Sequence, residues 1–181
     1  TLNECLEDSF RDIQTRTSLL EARFIAGDKN IPIKFKSDIY QKLLFKNRKG
    51  FVGEIFREID RRHMQFGDSV YLLEPNLKEG RGCLRDIHAI SWLLKSAIAS
   101  GRIDGLEKML LPEDYKHFLK AWEFLLKLRA CLHAVAKRKT DVLSFDLQKQ
   151  VAGMLGFSDT KRFQAAEILM RLYYKKARTV M

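Results

Sequence analysis

The chain has 181 residues, of which 46% are hydrophobic and 31% are charged, a balance that is typical of a folded globular protein and excludes a disordered one. Its formal net charge is +10, and residues 121–181 alone carry 12 basic and five acidic groups, which favours an anionic ligand or partner. No apolar run approaches the roughly 20 residues of a membrane span, and the three scattered cysteines indicate neither a disulfide framework nor a zinc site, so we expect a cytoplasmic protein.

Apolar residues recur at helical spacing along most of the N-terminal third. The first such pattern predicts one continuous helix over residues 2–26. A second helix is expected to begin at Ser37, a residue that can cap a helix N-terminus. A third follows, with Ile55 and Ile59 on its apolar face and Arg62 among its outward charges.

The rest of the chain continues this helical pattern. Further helices are expected over residues 82–101, 105–109, 112–138, 144–156 and 159–181, with Ser144 and Ser158 as N-caps of the last two. These patterns predict an all-α fold, a bundle-like domain of about six to eight helices with one short extended segment at residues 69–73. We expect a single domain over residues 1–181, with a possible sub-boundary near residues 67–73, excised from a longer multidomain chain.

The last predicted helix contains tyrosines and basic residues close together. They are Arg171, Tyr173, Tyr174, Lys175, Lys176 and Arg178. Such a run can resemble a nucleic-acid surface. Because Tyr173 lies on the apolar seam, we expect Tyr173 in the core and the cations on a solvated face, and nucleic acid is not the expected partner.

Residues 73–86, Leu-Glu-Pro-Asn-Leu-Lys-Glu-Gly-Arg-Gly-Cys-Leu-Arg-Asp, interrupt the helical pattern. Pro75 restricts the preceding residue to extended geometry, and the two glycines permit backbone angles that other residues avoid. The residues expected to shape this loop are Glu74, Pro75, Asn76, Gly80, Gly82 and Asp86. A helix is expected to begin near Gly82, directly after the loop.

The start of that helix is a candidate anion site. Unpaired amides and the positive end of the helix dipole favour an anion there. Lys78 and Arg85, with Arg81 as a weaker third, bring further positive charge, so we predict a phosphate or nucleotide site. If Glu79 and Asp86 neutralise these cations, the loop is purely structural, with Asp86 on the helix dipole. The residue types alone leave both interpretations open.

The same loop resembles a signature of the bacterial PII-protein uridylyltransferase/uridylyl-removing enzyme family, Glu-Pro-Asn-x-Lys-Glu-x-x-Gly-Gly-Leu-Arg-Asp. The matching residues are Glu74, Pro75, Asn76, Lys78, Glu79, Gly82, Leu84, Arg85 and Asp86. Cys83 stands where the pattern has its second glycine, and Arg81 where a proline is usual. If the second glycine of the pattern lets a phosphate approach the backbone closely, this chain differs from the family there, because Cys83 carries a side chain.

A second set of polar residues also resembles this family. It comprises Arg129, His133, Asp141 and Gln148. An arginine within an apolar helical seam needs a partner, because an unpaired buried charge is costly. These groups lie either near a ligand or interdomain contact, or in a structural hydrogen-bond network.

The resemblance implies a helical region between two catalytic domains of a parent enzyme. The upstream nucleotidyltransferase domain would hold Mg²⁺ and UTP, and a phosphohydrolase domain would follow downstream. The parent would move UMP from UTP to a tyrosine of the PII-type signalling protein, in nitrogen regulation. This region would help hold the nucleotide phosphates, the protein substrate, or both.

No catalytic residue and no metal ligand is expected in this chain, since its four histidines are scattered and none precedes an aspartate. We therefore expect it to transfer no nucleotide alone. One alternative is a non-catalytic helical interaction module, including one for nucleic acid. Another is part of a nucleotidyltransferase of different specificity, such as a glutamine synthetase adenylyltransferase.

Overall fold

A computed structural model describes residues 2–39, 42, 47–97, 107 and 109–181. Within these ranges it contains eight α-helices and no strand. The helices are α1 (Leu2–Arg11), α2 (Ile13–Leu20), α3 (Asn30–Ile39), α4 (Arg48–Phe66), α5 (Leu84–Ala97), α6 (Pro112–Ala136), α7 (Phe145–Met154) and α8 (Ala165–Val180). The predicted all-α fold is confirmed. None of the described helices is long and apolar enough to cross a membrane.

The chain divides into two compact units. One comprises Thr1–Glu58 and Ile90–Gly105, and the other comprises Ile59–Ala89 and Leu106–Met181. Helices α4 and α5 each contribute residues to both units. The single-domain assignment and the sub-boundary near residues 67–73 stay predictions.

The first unit is built around a buried arginine. Arg16 of α2 is 1% exposed, and its Nη1 donates a hydrogen bond to Glu54 Oε2 at 3.1 Å. Its guanidinium lies 4.6 Å from the ring centroid of Phe51, which is itself fully buried. The carboxylate and the ring together compensate the cost of removing this cation from water.

The predicted helix over residues 2–26 is wrong in its continuity and its end. Asp12 interrupts it in an extended conformation, and its carboxylate accepts the backbone N–H groups of Gln14 and Thr15, which caps α2 as a new helix. Helix α2 ends at Leu20, and Lys95 Nζ donates to the Leu20 carbonyl at 3.0 Å. A cation at this end of a helix is favourable because the last carbonyls lack backbone partners.

Two other predicted helix starts are also wrong. Helix α3 begins at Asn30 rather than Ser37, and its first N–H group is accepted by the Asp28 carboxylate at 2.8 Å. The last helix begins at Ala165, so Ser158 is not its cap. The start of the predicted 105–109 helix and the end of the predicted 82–101 helix lie outside the described residues.

The second unit contains α6, α7 and α8, which pack against one another. Its core includes Leu125, Leu128, Leu132, Leu169, Tyr173 and Ala177. Helix α6 closely follows the prediction for residues 112–138, with Pro112 in its first turn. The core position predicted for Tyr173 is confirmed, since this side chain is 1% exposed.

Candidate functional site

The loop between α4 and α5, which carries the signature, is held in place by backbone hydrogen bonds and by the side chain of Asn76. The Asn76 Oδ1 accepts the N–H groups of Lys78 at 3.0 Å and Glu79 at 2.8 Å, which is the turn-forming role that asparagine plays in loops. The Leu77 N–H donates to the Asp141 carbonyl at 2.7 Å, and the Leu143 N–H donates to the Pro75 carbonyl at 3.0 Å. The loop is therefore fixed to the segment before α7.

Two further side chains anchor the start of this loop. Glu74 Oε1 accepts the N–H of Phe145, the first residue of α7, at 2.7 Å. Ser144 is the N-cap residue, as predicted, but its side chain makes no capping hydrogen bond, so Glu74 satisfies this helix N-terminus instead. Gln148 Nε2 donates to the Leu73 carbonyl at 2.7 Å and to the Leu143 carbonyl at 3.2 Å.

Gly82 and Cys83 lie against α8. Gly82 has a φ of +73°, and a Cβ atom at this position would lie 2.3 Å from the Ala177 carbonyl oxygen. The buried Cys83 Sγ lies 3.2 Å from the Tyr173 hydroxyl, and burial above all raises the pKa of the Cys83 thiol to about 12. This part of the loop is therefore packed against the core, and a phosphate cannot approach Cys83 there.

Asp86 connects α5 to the end of α4. Its Oδ1 accepts Arg62 Nη2 at 2.6 Å, and its Oδ2 accepts the Gly82 N–H at 2.7 Å. His63 Nε2 lies 3.0 Å from the same carboxylate. Arg62 is only 4% exposed, so the prediction that it faces outward is wrong. Burial of this arginine is compensated by Asp86 and by the Glu79 carbonyl, which accepts its Nη1 at 2.9 Å.

Lys78 and Arg85 converge on one carboxylate, that of Glu79. Lys78 Nζ lies 2.8 Å from Glu79 Oε1, and Arg85 Nε lies 3.5 Å from Glu79 Oε2. Burial raises the pKa of Glu79, but the two cations lower it more, so the pKa lies below its ordinary value. Arg81 is held elsewhere, in an ion pair with the exposed carboxylate of Asp68.

The backbone amides at the start of α5 already have partners inside the chain. The N–H groups of residues 82–87 all donate, to the Asp86 carboxylate or to carbonyls between Leu77 and Cys83. An anion at this end of α5 would therefore depend on side chains rather than on free amides. Lys78 and Arg85 retain side-chain exposures of 34% and 30%, and with Glu79 they carry a net charge of +1.

Three of the four residues predicted to form a polar network lie together. Arg129 Nε donates to Asp141 Oδ1 at 2.7 Å, and His133 Nε2 lies 3.5 Å from the same oxygen. Gln148 donates instead to the carbonyls of Leu73 and Leu143, so it anchors the same loop without a hydrogen bond to these three residues. Burial raises the pKa of Asp141, but Arg129, His133 and Lys78 together lower it more, so this pKa lies below its ordinary value.

The lowered pKa of Asp141 predicts a pH-dependent contribution to stability. A carboxylate with a depressed folded-state pKa stabilises the fold above its unfolded pKa of about 4, and this stabilisation is lost as the pH falls through the folded pKa. Replacing Asp141 by asparagine should therefore destabilise the chain at pH 7. The difference from wild type should shrink as the pH falls below about 4 and through the folded-state pKa, because protonation makes the aspartate uncharged like asparagine. Urea unfolding of wild type and Asp141→Asn across this pH range measures the difference in stability. A difference that does not change with pH contradicts a lowered pKa of Asp141.

Across the described ranges of the chain, no cluster of three or more His, Cys, Asp or Glu side chains is arranged to hold a metal ion.

One residue central to this site, Arg62, was missed as a candidate. Its importance comes from contacts that join the end of α4 to the loop, whereas the helical periodicity predicted an outward-facing side chain. The pairing of Glu79 with Lys78 and Arg85 was one of the two interpretations that the sequence left open.

Fold and site together define an all-α region in which a hydrogen-bonded loop presents two partly exposed cations beside one carboxylate. A family model described as GlnD PII-uridylyltransferase matches residues 50–181. The chain therefore belongs to the GlnD PII-uridylyltransferase family. No solved structure matches it.

Curated relatives match almost the whole chain. Bifunctional uridylyltransferase/uridylyl-removing enzymes from Novosphingobium aromaticivorans and Azospirillum brasilense are 35% and 32% identical to it, and each match covers 99% of the chain. The corresponding enzyme from Caulobacter vibrioides is 35% identical over the same share. The chain spans only about a fifth of the length of these relatives.

Proposed function

We propose that this chain is the helical part of an enzyme that transfers UMP from UTP to a PII-type signalling protein in the cytoplasm. Its family membership supports the proposal, and the relatives it matches carry uridylyltransferase in their names. Because the chain corresponds to a fifth of those relatives, we assign the chemistry to neighbouring domains. An upstream nucleotidyltransferase domain would bind Mg²⁺ and UTP, and a downstream phosphohydrolase domain would remove the modification.

Within that enzyme, we assign Lys78 and Arg85 to the nucleotide phosphates. The observation that carries this role is their convergence on Glu79 while about a third of each side chain stays exposed. Glu79 preorganises the two cations, and an incoming phosphate would compete with its carboxylate for them. Preorganised cations lose less conformational freedom on binding than free side chains do.

The family of this chain does not favour the alternatives of a nucleic-acid module or a glutamine synthetase adenylyltransferase. The matching family model and the relatives described above all bear the uridylyltransferase name. Participation of this region in holding the protein substrate is compatible with the proposed phosphate role, since both ligands must meet in one catalytic complex.

Transfer of radiolabel from UTP to a PII protein tests the proposed activity. We expect the full-length parent to label PII from UTP in the presence of Mg²⁺ and to use ATP poorly. The 181-residue chain alone should give no label above background, since we assign the chemistry to the neighbouring domains of the parent. Labelling by the isolated chain, or a full-length parent that prefers ATP, contradicts the proposal.

A further inference from the structure

The outer face of α8 forms a shallow, strongly basic groove with Tyr71. The groove has a volume of about 470 Å³ and is lined by Tyr71, Arg171, Tyr174, Lys175, Arg178 and Thr179. Its three cations follow the helical spacing of four and three residues, so they lie on one face of α8. At a rise of about 1.5 Å per residue they extend along about 10 Å of the helix.

The cations of this groove are not paired within the described part of the chain. No carboxylate lines the groove, and Arg171, Lys175 and Arg178 form no ion pair with the described residues. Lys176, the residue after Lys175, also lies near Lys120 of α6: burial lowers the pKa of Lys176, and the charges of Lys120 and Lys175 lower it further. Such an uncompensated surface attracts an anionic partner.

The aromatic rings beside the cations are mostly engaged within the chain. The Tyr174 ring lies 5.5 Å, centroid to centroid, from those of both Tyr71 and Tyr173, and its hydroxyl donates to the Leu72 carbonyl at 3.2 Å. The guanidinium of Arg171 lies 3.8 Å from the Phe163 centroid. Single-stranded nucleic acid is held by bases that stack on open aromatic faces. Only Tyr71, at 56% exposure, remains available among the rings of the groove.

We propose that this groove binds an acidic segment of a protein, with carboxylates paired to Arg171, Lys175 and Arg178. Arg171 and Lys175 are about 6 Å apart along the helix axis, close to the roughly 6.6 Å between alternate side chains of an extended peptide. An apolar side chain of the segment packs on the exposed ring of Tyr71. None of these residues takes part in the Glu79 cluster, so this interaction goes beyond the proposed nucleotide role.

Fluorescence anisotropy with a short labelled peptide of alternating glutamate and leucine tests this inference on the 181-residue chain. Reversing two groove charges, Lys175→Glu with Arg178→Glu, should weaken binding about tenfold or more, since it removes two ion pairs and adds repulsion. Lys127→Glu with Lys149→Glu is the matched control, because these exposed residues of α6 and α7 give the same change in net charge. We expect this control to change binding less than about twofold.

Circular dichroism verifies that each variant is folded, and Lys175→Gln with Arg178→Gln replaces the charge reversal if that variant fails to fold. Specific weakening by the groove variants supports the inference. Equal weakening by groove and control variants, no binding of the acidic peptide, or tighter groove-dependent binding of single-stranded DNA overturns it.

Discussion

Replacing Asp86 by alanine should lower the free energy of unfolding by about 3–5 kcal/mol, the usual cost of removing one partner from a buried ion pair. Asp86 accepts hydrogen bonds from Arg62 and from the Gly82 backbone, and the Arg62 side chain is 4% exposed. The variant removes the closest carboxylate from a buried guanidinium and also removes the acceptor at the start of α5. Since small domains are stable by only about 5–15 kcal/mol, this is a large fraction of the total.

Asp68 provides the matched control for this prediction. Its side chain is 68% exposed and pairs with Arg81, so the pair is largely solvated. Replacing Asp68 by alanine should cost less than about 1 kcal/mol, as is usual for exposed ion pairs. Urea unfolding monitored by circular dichroism measures both variants. If they destabilise the chain equally, the Asp86 cluster does not have the structural role assigned to it.

Replacing Gly82 by alanine should destabilise the chain by about 2–5 kcal/mol. The left-handed backbone conformation of this residue, with φ of +73°, costs a non-glycine residue about 1–2 kcal/mol. The added Cβ would also lie 2.3 Å from the Ala177 carbonyl oxygen of α8, so the loop or the helix must move. Overpacking of this kind costs about 1–3 kcal/mol more.

Replacing Gly153 by alanine is the control, and we expect it to change the stability in the opposite direction. Gly153 lies within α7, is exposed, and has no heavy atom within 4 Å of the position that an alanine Cβ would occupy. Replacing it by alanine should stabilise the chain by about 0.5–1 kcal/mol, because alanine has the higher helix propensity. Thermal unfolding of both glycine variants should therefore show shifts in opposite directions. A Gly82→Ala midpoint at or above that of wild type contradicts the described packing against α8.

The helices that the sequence predicted well are those whose pattern is uninterrupted. Helix α6 combines a continuous apolar seam with Pro112 in its first turn, and both signals are local. The prediction over residues 2–26 failed because Asp12 hydrogen-bonds the backbone of Gln14 and Thr15, and this local alternative competes with helix continuation. Periodicity alone does not reveal which of the two conformations wins.

The site was only partly predictable for a related reason. The signature identified Lys78, Arg85 and Asp86 as special, but their partners depend on how α4 meets the loop. Arg62 lies 24 residues before Asp86, and its buried guanidinium is compensated by that long-range pair, which its place in the helical pattern does not predict. The amides at the start of α5 were expected to be open, whereas carbonyls of the folded loop satisfy them.

Steady-state uridylylation of PII by the full-length parent, measured against UTP concentration, tests the role of Lys78 and Arg85 most directly. A charge-assisted contact to phosphate is worth about 1.5–3 kcal/mol, so Lys78→Ala or Arg85→Ala should lower kcat/KM for UTP by about ten- to a hundredfold. Arg81→Ala should have a smaller effect, because Arg81 pairs with Asp68 rather than Glu79. We expect kcat/KM to fall in these variants while their unfolding midpoints stay unchanged. Wild-type UTP kinetics in both Lys78→Ala and Arg85→Ala would contradict the phosphate role and leave the loop with a structural role alone.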